Sequence, residues 1–480
     1  MDNTRKFTLD YTGSGMSKRK IHFSGIGGTA MVAGARLALE AGWEVRGSDQ
    51  PLYPPTSNMV AALGVPVAEG YAAENLDWNP DVVVLGNVLS RGNPEVEAAL
   101  ERRLRYVSLP EWLKEHVLLP RRPVVICGTH GKTTTTALTA HVLSACGLEP
   151  GYFIGGEPLG TRHSARLGEP GAPFVIEADE YDTAFFDKRA KFFHYVPEIA
   201  VVTSLEFDHG DIYRDLDEIK LAFQRMLRQV SRTGHLVACA DNAARDLRAH
   251  AFCGVQTYGF AHDADWRGEY LGAEEGLQVL RVMQGDTHVG DLRCPLAGTH
   301  NLQNTLAAVA CASLLGAPFE RIAAGVEYFG GVRRRMEVFL EAQGATFVDD
   351  FAHHPTAIRE TIAAARMRWP GRRLRVLFEP RSNTTVTRKF QGDLAESFRG
   401  ADELWLGPIY RGDSIPPEER LDREALCMGL HADGVSAHPA DDASQIAEAV
   451  TASLREGDVV LILSNGAFGG IYEKFRKAFQ

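Results

Sequence analysis

VVICGTHGKTTTTAL, residues 124–138, decides the fold. Its apolar start reads as a buried strand that runs into Gly128, Gly131 and Lys132, then into a helix-capable segment ending at Gly147. Glycines let backbone N–H groups approach phosphate oxygens, the helix N-terminus adds a favourable field, and Lys132 neutralises β/γ charge. Thr133 offers a hydroxyl to Mg²⁺. The spacing departs from G-x-x-x-x-G-K-[ST], because Ile126 stands where the first glycine belongs. A glycine turn that merely joins strand to helix is the alternative, but it leaves a lysine between glycine and four threonines without a purpose.

A second turn precedes it, IHFSGIGGTAM at 21–31, with Asp49 at the end of the following strand. Gly25-x-Gly27-x-x-Ala30 fits a dinucleotide-binding fingerprint, so an NAD-linked dehydrogenase competes with any other nucleotide-diphosphate binder. Around these turns the chain alternates strands and helix-length segments. KIHFSG, WEVRGSD, DVVVLGN and YVSLPEW open a first series, PVVICG, PFVIEAD, IAVVTSLE and GHLVACADN a second, and ATFVDDFAHHP, RLRVLFEPRSN, DELWLG and DVVLILSNGAFGG a third. LLPRRPVV marks a boundary, and GLQVLRVMQGDTHVGDLRCPL alternates at period two, an antiparallel ribbon appended to the second series. The expectation is an α/β protein of three domains, 17–118, 119–331 and 332–480, each with a mainly parallel sheet covered on both faces.

The 480 residues are 45% hydrophobic and 24% charged, as in ordinary globular proteins. A formal charge of −11 argues against a nucleic-acid binder. No apolar run is long enough to span a bilayer, and the first twenty residues lack the apolar core of a signal peptide. The expected setting is the cytoplasm, with Met16 a candidate start because the strand pattern begins only at Ile21. Seven scattered cysteines without a C-x-x-C pair read as reduced core residues.

Other segments carry chemistry. PFVI delivers Glu177 at a strand end, where an oxygen ligand for Mg²⁺ is expected; the acidic run EADEYD behind it has a solvated surface as its plain alternative. FDHGD puts Asp208, His209 and Asp211 on a neighbouring loop as metal or phosphate candidates. GTHNLQN sets His300, Asn301 and Asn304 at a helix entrance, where amides can read a base edge, although Asn301 also suits an N-cap. GGVRRRMEVF puts three arginines at a domain junction, able to clamp a phosphoryl group.

In order and spacing, GTHGKTT, EADEYD, EFDHGDIY, GTHNLQN, RRRME and DDFAHHP resemble the Mur ligase family from about residue 20 onward. The resemblance implies a Rossmann-like domain for a UDP-sugar, a central phosphate-loop ATPase with added antiparallel strands, and a Rossmann-like C-terminal domain for the incoming amine. It implies an ATP- and Mg²⁺-dependent ligase that activates the carboxylate of UDP-N-acetylmuramate as an acyl phosphate. GNVLSRGNPEVEAAL and EPRSNT lean toward the murein tripeptide L-Ala-γ-D-Glu-meso-diaminopimelate as acceptor rather than L-alanine, the biosynthetic alternative. By the same resemblance Gly128, Thr129, His130, Gly131, Lys132, Thr133 and Thr134 hold ATP phosphates, and Thr133, Glu177 and His209 hold metal ions. Asn301 and Asn304 contact adenine, Arg335 serves the junction, and Asp350 lies where the third domain closes on ribose. Gly25, Ile26, Gly27, Gly28 and Asp49 match the UDP site. Arg381, Ser382 and Asn383, with Ser464, Asn465 and Gly466, are candidates for the peptide. Relatives carry a carbamylated lysine about fifteen residues after the histidine matching His209; here Gln224 stands there with Lys220 nearby, and none is assigned. A monomer or weak homodimer, with neither nucleic acid nor membrane as partner, completes the expectation.

Overall fold

The computed structural model describes residues 18–53, 56–161, 163–207 and 212–480. Met16, Asp208, His209 and Asp211 lie outside the described residues. The chain divides into two compact units: residues up to 117 with 183–188, and residues 118–182 with 189–480.

In the first unit, five parallel strands lie in the order Val67–Glu69, Glu44–Asp49, Lys20–Ser24, Val82–Leu85, Tyr106–Ser108. The order reverses between Lys20–Ser24 and Val82–Leu85, so a crevice opens at their C-terminal ends, where the Gly25 turn begins. Four of these strands follow from their apolar runs. The fifth, Val67–Glu69, is a partly exposed edge of three residues with no pattern to announce it. Asn93 caps the helix Pro94–Glu101 through the N–H groups of Glu95 and Val96, with proline at the first helical position. That helix aims Glu95 into the interior, where it is fully buried and accepts hydrogen bonds from the Ser24 and Ser48 hydroxyls and the Asn75 amide.

The second unit holds two sheets. In the ten-stranded sheet, Arg122–Cys127 lies between Ile199–Val202 and Pro173–Glu177, all parallel. Helices Lys132–Ala145 and Thr299–Leu314 pack against each other beside it. Thr133–Thr136 are buried there, which places a polar-looking stretch in a packed interior. The ribbon expected near the end of this region is a meander of three strands, Trp266–Glu274, Leu277–Gln284 and Thr287–Cys294, and it extends the same sheet. The additional strand is Trp266–Glu274, whose alternation is broken by a register shift between Tyr270 and Gly272.

The six-stranded sheet runs Glu337–Ala342, Ala345–Asp350, Val459–Leu463, Leu374–Phe378, Glu403–Leu406, Ser436–Pro439, with only the first strand antiparallel. Its two faces carry separate apolar clusters, one around Phe378 and Phe398, the other around Phe347 and Phe475. Each buried side chain of this size contributes about 1.5–3 kcal/mol. The two outermost strands were not legible as separate strands. All seven cysteines are free thiols, five of them buried.

Candidate functional site

Three neighbouring parallel strands end together in the second unit. Arg122–Cys127 leads into the phosphate loop, Pro173–Glu177 into EADEYD, and Ile199–Val202 into the segment that brings Ser204 and Glu206. The loop backbone is locked to that last segment: Thr129 N–H donates to Ser204 O, His130 N–H to Ser204 Oγ, and the Thr203 hydroxyl to His130 O. Gly131 is the N-cap of Lys132–Ala145 in the left-handed region, φ 82°, and no side chain caps the helix. Its first-turn N–H groups therefore face the loop, the arrangement that binds anions.

Lys132 Nζ donates to Glu180 Oε2 at 2.8 Å and to Gly128 O at 2.7 Å, with Glu180 almost wholly buried. Burial pushes the lysine pKa down, but the charges of Glu180 and Asp179 outweigh it and the ammonium is held well above its ordinary range. Thr133 Oγ1 donates to Glu177 Oε1 at 2.9 Å, and Gly155 N–H to Glu177 Oε2 at 2.7 Å. Burial and the neighbouring Asp179 raise the Glu177 pKa against these bonds and Lys132. Asp179 behaves oppositely: burial raises it, yet Lys191, 3.0 Å away, and Lys132 hold it at about 2. Arg335 reaches the same place from the junction, Nη2 3.4 Å from Thr133 Oγ1.

Asn304 lies behind the loop, its Nδ2 donating to Asn301 Oδ1, and Asn301 Nδ2 donates to Ala297 O. The helix N-cap is Gly298, so Asn301 is not the cap. An alanine at Gly131 would combine a left-handed φ with a Cβ 2.5 Å from Asn304 Oδ1. The left-handed conformation alone costs about 1–2 kcal/mol. Gly131→Ala is therefore expected to weaken nucleotide binding about tenfold or more, read by calorimetry.

Beyond the junction, Asp350 is buried and accepts from Met336 N–H and Ala352 N–H, both at 2.8 Å, so its carboxylate braces the backbone. Its neighbour Asp349 accepts from Tyr472 Oη at 2.7 Å and lies 3.4 Å from Arg334. Burial pushes the Asp349 pKa up to about 6 despite Arg334 and Tyr472. A carboxyl raised on folding contributes stability below its unfolded pKa and loses it as pH rises through the folded value. Between pH 4 and 7, wild type should lose about 2–3 kcal/mol relative to Asp349→Asn. Urea titrations of both proteins across that range check it; a relative gain by wild type would mean the Arg334 pairing dominates.

At the strand ends of the last sheet, Ser464 Oγ donates to Glu379 Oε2 and Gly466 N–H to Ser464 Oγ. The Arg381 guanidinium lies 3.6 Å over the Tyr410 ring, with Arg411 5.2 Å from the same ring. Ser382 Oγ donates to His353 O, and Asn383 is exposed. The structure thus gathers Arg381, Ser464 and Gly466 in one place. Lys220 pairs with Asp246, and Gln224 with His250, on an outer helix face.

In the first unit, Gly25 has φ 84° and donates its N–H to Ser48 O, as does Ile26. Asp49 Oδ2 accepts from Gly27 N–H at 2.6 Å, while Oδ1 accepts from Gln50 N–H and Tyr71 Oη. The aspartate shapes the turn itself. Gly28 is the N-cap of Thr29–Glu40, again with no side-chain cap, leaving that helix's first-turn N–H groups for an anion.

Sequence reasoning missed Glu180 as the partner of Lys132, and Lys191 as the partner of Asp179. EADEYD offers four acids at consecutive or near positions, and nothing in it says which one faces the lysine.

Comparison with known proteins adds an independent line. Residues 20–119, 126–312 and 334–466 match the family descriptions "Mur ligase family, catalytic domain", "Mur ligase middle domain" and "Mur ligase, glutamate ligase domain". The chain is 39% identical over 456 residues, 95% of its length and 97% of the relative's, to the UDP-N-acetylmuramate--L-alanyl-gamma-D-glutamyl-meso-2,6-diaminoheptandioate ligase of Escherichia coli K12. It is 36% identical over 461 residues to the UDP-N-acetylmuramate--L-alanine ligase of Desulfatibacillum aliphaticivorans, covering 95% of this chain and 98% of that one. A crystal structure of a murein peptide ligase from Psychrobacter arcticus 273-4 superposes with TM-score 0.70 at 34% identity, covering 96% of this chain and 98% of the other.

Proposed function

The chain belongs to the Mur ligase family, and from that premise we propose that it joins the tripeptide L-Ala-γ-D-Glu-meso-diaminopimelate to UDP-N-acetylmuramate at the expense of ATP, in peptidoglycan recycling. The observation that carries the reading is the group formed by Lys132, Glu180, Thr133, Glu177 and Arg335 at the mouth of the phosphate loop. Carboxylate and amine do not condense in water. The ligase therefore moves the γ-phosphoryl group of ATP onto the carboxylate, and the amine then displaces phosphate to leave the amide.

In this reading residues 17–118 hold the UDP-sugar through Gly25–Gly28 and Asp49, 119–331 hold ATP, and 332–480 the peptide. Lys132 and the first-turn N–H groups of Lys132–Ala145 take the phosphates. Arg335 stabilises charge as the phosphoryl group transfers. Asn301 and Asn304 lie against the loop as the adenine contacts, and Asp350 sets the junction backbone around the ribose. Thr133 and Glu177 suit Mg²⁺: both offer hard oxygens, and Glu177 binds its proton more tightly than an ordinary carboxylate, the mark of a buried anion short of positive charge. When bound, Mg²⁺ supplies neutralisation of the terminal phosphate.

Arg381 and Arg411, flanking Tyr410, support an acidic peptide as acceptor. The comparable identity to an L-alanine ligase supports the second reading. Phosphate release with ATP, Mg²⁺ and UDP-N-acetylmuramate, comparing the tripeptide with L-alanine, separates them; turnover with L-alanine alone would overturn the first. No helix among the described residues is long and apolar enough to cross a membrane. We place the enzyme in the cytoplasm as a monomer or weak homodimer.

A further inference from the structure

Three side chains from three segments meet at the edge of the phosphate loop: His130, Glu206 and His354. Their ligand atoms all lie within 4.8 Å of one another. His130 Nε2 is 3.5 Å from Glu206 Oε2, and the two imidazole rings stand 5.0 Å apart, tilted by 40°. Each residue is fixed through its backbone or its place in an element. His130 hangs on Ser204 and Thr203, and Glu206 N–H donates to Thr129 Oγ1. His354 is the N-cap of the helix Pro355–Arg368, its Nδ1 accepting from Thr356 N–H. At 3.4 Å that cap bond is long.

We infer that His130, Glu206 and His354 form a site for one borderline transition-metal ion of the Zn²⁺ or Co²⁺ kind. Two imidazoles and one carboxylate are the donor set these ions take, whereas Mg²⁺ prefers oxygen alone. The 3.5 Å between His130 and Glu206 is close to what two ligands at about 2.0–2.1 Å subtend across a tetrahedral angle. Glu206 and His354 also line a cleft of about 250 Å³ with Phe207, Thr356, Arg359 and Phe390, which gives the ion a path of entry and a coordination position open to water or an anion. The site shares no residue with Thr133 and Glu177.

The test is titration of the full-length chain, freed of metal by chelator and kept reduced, with Co²⁺ in Mg²⁺-free buffer. One equivalent per chain with visible d–d bands, displaced by Zn²⁺, is expected. His354→Asn keeps a side chain able to cap the helix but removes the ligand, and should weaken binding by more than about 100-fold, beyond the loss of an outer-shell partner. Glu206→Gln should do the same, which keeps the test decisive if one variant fails to fold by circular dichroism. Glu177→Gln should leave the bands intact. Absence of d–d bands, a strong near-ultraviolet thiolate band, bands unchanged in the folded variants, or their loss in Glu177→Gln would each overturn the site.

Discussion

Lys132→Ala should abolish ATP-dependent ligation, lowering turnover by about 10²–10³-fold or more, while UDP-N-acetylmuramate still binds. The ammonium closes the phosphate loop on itself, through Gly128 O and Glu180. Its removal has a second effect, because Glu180 is 3% exposed and would be left without its cation. Breaking such a buried pair from one side costs about 3–5 kcal/mol. A loss of activity could then be blamed on unfolding. The double variant Lys132→Ala with Glu180→Gln separates the two: it should regain most of the stability and none of the turnover. Calorimetry with the UDP-sugar, single-turnover phosphate release and urea melts supply the readouts. Loss of sugar binding in the stable double variant would sink the idea of separate nucleotide sites.

The second large effect lies in the core of the six-stranded sheet. Arg375 is fully buried in the six-stranded sheet. It meets Glu403 through two parallel bonds, Nε to Oε2 at 3.0 Å and Nη2 to Oε1 at 2.9 Å, and donates also to Val450 O and Ser453 Oγ. Asp458 lies 3.5 Å away. Arg373, partly exposed, pairs with the same two acids, so two guanidiniums face two buried carboxylates. Arg375→Met should lower the stability of the C-terminal part by up to about 3–5 kcal/mol, since both acids lose their buried partner and keep only the partly exposed Arg373. Adding Glu403→Gln should recover a good share, because an amide tolerates burial where a carboxylate does not. Trp405, whose Nε1 donates to Glu403 Oε1, is a local fluorescence probe for that transition. A melting midpoint within a degree of wild type would contradict the assignment.

What could be read from the sequence shares a property: it is local. GTHGKTT and GIGGTA each declare a strand, a turn and a helix within a dozen residues, and the structure places each where expected. Asn304 was legible at a helix entrance, but its place against Gly131 was not. Contacts across long separations were not. Glu180, Lys191 and the meeting of His130 with His354 depend on how strand ends gather, and no single segment encodes that. The strand Trp266–Glu274 escaped because its register shift and two glycines break the period-two signal. The left-handed backbone of Arg334, φ 59°, and Met336, φ 52°, was invisible because neither residue is a glycine.

Those two dihedrals mark a point of articulation. Arg333 N–H donates to Glu157 O and its side chain lies 3.2 Å from Glu157, while Leu159 N–H donates to Gly331 O. Arg333 is fastened to the nucleotide-binding part and, through Nη1, also to Glu337 of the six-stranded sheet. Arg334 donates instead to Ser464 O and Gly466 O, its own carbonyl accepts from Phe351 N–H, and Met336 N–H goes to Asp350. Neighbouring residues are thus fastened to different sheets, with Arg333 to Glu337 and Arg335 to Thr133 bridging them, and the crossing narrows to Arg333–Met336. A turn there would sweep Arg335 toward or away from Thr133 and carry the Ser464–Gly466 loop along as ballast. Arg335 and the Ser464–Gly466 loop would then move on one axle.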